Sequence, residues 1–106
     1  MHVIDAQPAA WFLFADGADL FLDVNCNHSA AGYSVLIRLT PEEVADYRAA
    51  DRSSVSRLAG RVQDSGPRGG YQKRDVSSTY QDASMEAVLT WRARGSDARS
   101  PEEASG

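Results

Sequence analysis

The sequence predicts an α+β domain in which a three-stranded antiparallel meander is followed by two helices packed on one face of it. Two observations carry this reading: the apolar residues of 20–26 and 33–39 recur every second position, and after Leu39 the period changes to that of a helix, opened by a strong capping signal. A third, the length of 106 residues, fits one folding unit and leaves no room for a second.

Residues 1–8 carry little pattern and end at Pro8, so they read as a loosely held arm. The first strand is the continuous apolar run Trp11 to Ala15. Asp16-Gly17 follows it as a two-residue hairpin turn, since both central positions of such a turn favour positive φ. The second strand sets Leu20, Leu22, Val24 and Cys26 against Phe21, Asp23 and Asn25. The third sets Tyr33, Val35, Ile37 and Leu39 against Ser34, Leu36 and Arg38, with Asn27 to Ala30 as the connecting loop. This register places Phe12 opposite Phe21, Phe21 opposite Leu36, and Asp19 opposite Arg38.

Thr40-Pro41-Glu42-Glu43 supplies an N-cap hydroxyl, a proline at the first helical position and a glutamate that closes a capping box. The helix it opens has the stripe Val44, Tyr47, Val55, Leu58 and Val62, is interrupted near Ala50 to Ser53, and ends near Asp64. Residues 65–77 lack any period and read as a long mobile connection. Ser78 and Gln81 offer a second capping box. Tyr80, Ser84, Ala87, Val88 and Trp91 form the buried face of the second helix, flanked by Met85 and Leu89 and stopped by Gly95. The domain therefore covers residues 1–95, and the polar, acidic segment 96–106 reads as a disordered tail.

Composition narrows the function classes. The formal charge of -4 and a pI near 5.0 make nucleic acid an unlikely partner, because phosphate contacts need surplus cations. The apolar run at residues 9–15 has no basic segment ahead of it and two aspartates close behind, so it is neither an export signal nor a membrane span, and the expected location is the cytoplasm. Lys73 is the one lysine among eleven basic residues, the usage of a GC-rich bacterial genome.

Three features could carry function. Cys26 and His28 sit two positions apart at a strand end, where an imidazole could activate a thiolate or both could hold zinc. No further cysteine completes a metal site and no local pattern completes a catalytic set, so no cofactor or metal is expected. The structural alternative makes Cys26 a small core residue in phase with Leu22 and Val24, and His28 a turn residue. The second feature is a basic segment, in which Arg61, Arg68, Lys73 and Arg74 face Asp64 alone, with Tyr71 among them. It could grip an acidic ligand, whether a phosphate, a single-stranded nucleic acid or an acidic protein, or be a solvated loop paired with nearby acids. The third is the outer sheet face, where Phe12, Phe21 and Leu36 form an apolar row rimmed by Asp23, Ser34 and Arg38.

The leading expectation is a small interaction or adaptor module that binds itself as a homodimer, or another protein, through this outer face and the basic loop. The alternative is a small enzyme or ligand-binding protein built on the Cys26/His28 turn.

Overall fold

The computed structural model describes residues 1–7, 10–26, 33–50, 52–65 and 69–105, with the side chains of the last stretch described as far as Arg94. The expected Asn27–Ala30 turn, His28 and Arg68 lie outside the described residues. The elements are β1 (His2–Gln7), β2 (Trp11–Asp16), β3 (Asp19–Cys26), β4 (Tyr33–Arg38), α1 (Pro41–Ala50), α2 (Arg52–Ser65), a 3₁₀ turn (Gly70–Arg74) and α3 (Ser77–Ser105). The strands form one antiparallel sheet in the order β1-β2-β3-β4.

The α+β class and the antiparallel sheet agree with expectation, but the sheet has four strands rather than three. The presumed arm is β1, which pairs with β2 from His2 against Ala15 to Gln7 against Trp11. A register shift between Val3 and Asp5 breaks its period-2 pattern, which hides a strand of polar and apolar neighbours from a search for alternation.

The first hairpin turns one residue later than expected, through Gly17 and Ala18, with Asp16 opposite Asp19. Gly17 has φ 61° at the first central position, a conformation that costs glycine little and other residues much. Moving the turn by one residue moves the pairing by two. Phe14 faces Phe21 and Phe12 faces Asp23, yet every side chain stays on its predicted face. The second hairpin shifts likewise, so that Phe21 faces Arg38 and Asp23 faces Leu36. Arg38 still reaches Asp19 at 3.7 Å, as a diagonal neighbour.

The capping box forms as read. Thr40 N–H donates to Glu43 Oε1 at 2.8 Å, and Glu43 N–H donates to Thr40 Oγ1 at 3.2 Å. The interrupted helix resolves into α1 and α2, and α2 buries Val55, Leu58, Ala59 and Val62 against Leu13, Leu22, Val24, Val35 and Ile37.

The main correction concerns the layers. α3 does not join α2; it covers the opposite face, where Ala87, Tyr80 and Val88 meet Phe14, Phe21 and Leu36. The reason is visible in β2, in which both alternation phases are apolar: Trp11 and Leu13 face α2 while Phe12 and Phe14 face α3. A strand apolar on both sides calls for cover on both sides. The result is helix, sheet, helix. Gly95, expected to end the last helix, lies within α3; an internal glycine costs about 1 kcal/mol against alanine without breaking the helix.

The segment before α3 is docked. Val76 N–H donates to Leu36 O at 2.7 Å, and Leu36 N–H donates to Asp75 Oδ1 at 3.0 Å, which covers the outer edge of β4. Arg74 donates to both carboxylate oxygens of Glu43, at 2.6 and 3.0 Å, and to the carbonyl of Arg38 at 2.8 Å.

Candidate functional site: a groove between the sheet and α3

α3 starts at the β4 edge, where Asp75 accepts from Ser77 N–H at 3.0 Å and from Ser77 Oγ at 3.1 Å, and crosses the sheet towards β1. A helix laid across a twisted sheet touches it along one line and leaves open wedges beside that line. On the side of Asp23 and Ser34 the wedge is a groove with two adjoining chambers of about 460 and 290 Å³. Both are lined by Phe12, Asp23, Ser34 and Arg92. The larger adds Leu36 and the α3 residues Gln81, Met85 and Leu89, and the smaller adds Trp11 and Trp91.

Its surface mixes apolar and polar groups. Phe12 stands edge-to-face to Trp91 with centroids 5.4 Å apart, and the outer lip carries Met85 and Leu89, which are 56% and 60% exposed. In the middle of the floor sits Asp23, between Phe12 on β2 and Leu36 on β4. Among the described residues no N–H donor or cation reaches its carboxylate. Burial, and next the negative charge of Asp75, push its pKa from 3.8 to about 6. Asp75 has its own donors in Leu36 and Ser77. A half-buried carboxylate without a partner is costly to the fold, and such groups concentrate where something is to be bound.

The residues singled out from sequence fall into three groups. Phe12 and Leu36 line the groove, with Asp23 and Ser34 beside them. Phe21 is buried beneath Tyr80, whose ring lies 4.8 Å away, and beneath the Arg38 guanidinium at 5.3 Å; Arg38 in turn donates to Tyr80 Oη at 3.1 Å. These two clamp α3 to the sheet. Of the basic loop, Tyr71 packs on the α2-side core, Arg74 is held by Glu43, and Lys73 is exposed.

Cys26 is fully buried and its thiol donates to Val24 O at 3.8 Å. Burial raises its pKa, against a hydrogen bond with Tyr33 that lowers it, and the charge of Asp23 adds to the rise. A thiol so placed is a poor nucleophile. No group of three His, Cys, Asp or Glu able to hold a metal occurs among the described residues. No helix among them is long and apolar enough to cross a membrane.

Sequence reasoning missed Trp91 and Arg92 as lining residues and gave Asp23 only a place on a rim. The available signal was an acid in the middle of β3, in phase with Phe21, on a strand whose other phase is wholly apolar. Comparison with models of protein families, with curated proteins and with solved structures gives no match to this chain.

Proposed function

We propose that the chain is a protein-interaction module whose docking surface is the outward side of α3, and that its partner is a second copy of itself. One observation carries the reading: Asp82, Met85, Leu89 and Arg92 are all exposed and follow one another at steps of three, four and three along α3. That spacing makes a single seam along a helix, the pattern by which two helices pair side by side. The order of the four side chains is self-complementary. When two copies of α3 run antiparallel about a twofold axis near Ala87, Met85 meets the partner's Leu89 and Asp82 meets the partner's Arg92, twice over.

An isologous contact of this kind needs no second surface, and it covers the largest exposed apolar side chains on the helix. The sheet face that sequence singled out contributes indirectly, by seating α3 through Phe14, Phe21 and Leu36. The buried thiol of Cys26 gives the nucleophilic alternative no support.

Sedimentation tests the reading. The wild type should sediment as a dimer, and Leu89→Asp as a folded monomer. Asp82→Arg and Arg92→Asp should each weaken the dimer, while the double exchange restores it. A wild type that stays monomeric at the highest soluble concentration, or a double exchange no better than the singles, overturns the proposal.

A further inference from the structure

We infer that the groove under α3 is a binding site for a small organic ammonium ion with an apolar body, its charged head on the Asp23 carboxylate and its body against Phe12 and Trp91. This goes beyond the self-pairing proposed above and does not depend on it, because the floor of the groove belongs to the sheet.

Three features of the site argue for that ligand class. The first is charge: the floor presents one carboxylate with no donor among the described residues, and the negative charge of Asp75 acts on it as well. The charged groups that bear on Asp23 are Asp75, just ahead of α3, and Arg92 on α3 itself; the flanking strands offer it Phe12, Ser34 and Leu36. Arg92 lies at the exposed lip and makes no ion pair with Asp23, so the floor keeps its charge.

The second feature is aromatic. Phe12 and Trp91 line the same chamber as Asp23, and aromatic rings attract ammonium groups on their faces while also accepting an apolar body. The third is size: the two chambers, about 290 and 460 Å³, lie at or near the range that holds small organic ligands. An anion seated on the floor would meet the Asp23 carboxylate, and an uncharged apolar ligand would leave that carboxylate desolvated and unpaired. An ammonium ion satisfies both charge and shape. Burial, and next the charge of Asp75, raise the pKa of Asp23, and a bound cation lowers it by linkage.

Benzylammonium is a suitable probe, with benzyl alcohol as its neutral counterpart, each titrated into the full chain while backbone amide resonances are followed. Benzylammonium should give saturable shifts centred on Phe12, Asp23 and Ser34, and benzyl alcohol should bind at least about tenfold more weakly, the worth of one charge-assisted contact. Affinity for benzylammonium should fall about tenfold between about pH 7 and about pH 5, as a carboxyl titrating near 6 becomes neutral. Asp23→Asn, which removes an unfavourable buried charge and so should fold at least as well, should bind the two probes equally. The inference is overturned by equal binding of both probes to the wild type, by a charge preference that survives in Asp23→Asn, or by the absence of saturable binding of benzylammonium. Each readout is independent of the sedimentation result, so either idea can fail alone.

Discussion

Asp23 and Cys26 occupy the same strand, two positions inside opposite faces of the sheet, and their environments drive two opposed expectations. Asp23 has a folded-state pKa near 6, above the ordinary 3.8, so the folded chain holds its proton where the unfolded chain has lost it. Folding is therefore favoured by this group at low pH, and that contribution is lost as pH rises from about 4 through about 6. At neutral pH the ionised carboxylate should cost about 1–3 kcal/mol, since each pKa unit is worth about 1.4 and groove water screens part of it. Urea unfolding should show Asp23→Asn more stable than wild type by that amount near neutrality, with the two curves converging at pH 4. A wild type whose advantage grows with pH would contradict the assignment. Cys26 should label far more slowly than free cysteine in the native chain, and at the normal rate once urea has unfolded it. Its burial could be read from the alternation of Leu20, Leu22, Val24 and Cys26. The environment of Asp23 could not, because the elements that desolvate it, α3 and the Asp75 segment, are more than fifty positions away along the chain.

Among the elements, those with a local cause were legible and those made by tertiary contact were not. β3, β4 and the start of α1 follow from side-chain alternation and a capping box that forms as expected. Both hairpin registers slipped by two, an error that alternation cannot detect because it leaves each face intact. The connection before α3 looked mobile because its order comes from outside: Glu43 of α1 holds Arg74, the β4 edge holds Val76, and the core takes Tyr71. Gly69 shows how tightly this segment is seated. A Cβ there would lie 2.4 Å from Ser65 Cβ and 2.6 Å from the Ser65 carbonyl oxygen, at the end of α2. Gly69→Ala should accordingly cost about 1–3 kcal/mol, the range for overpacking a filled site. It should also loosen the 3₁₀ turn, so that trypsin cuts after Lys73 and Arg74 well before it does in the wild type. Unchanged stability and an unchanged digestion pattern would mean that the turn is not anchored at α2.

Taken together, the three layers are unequal. Among the described residues, the α2 side holds twelve mutually packed buried residues and the α3 side four, so the sheet is fastened more firmly to one cover than to the other. Cooperative units with few buried apolar contacts open first. Hydrogen exchange should therefore show the amides of α3 opening together at a free energy clearly below that of α2 and the central strands, and Ala87→Gly should widen the gap. Protection of α3 equal to that of α2 would show one cooperative unit instead.

Chain order gives this asymmetry a consequence during synthesis. The four strands, α1 and α2 are all made before the first turn of α3, and they can assemble into two of the three layers while the last is still inside the ribosome. For that interval Phe14, Phe21 and Leu36 lie bare on a sheet that is otherwise finished. A nascent chain that has emerged as far as Val76 presents this apolar surface to its neighbours on the same messenger and to any chaperone at the tunnel exit.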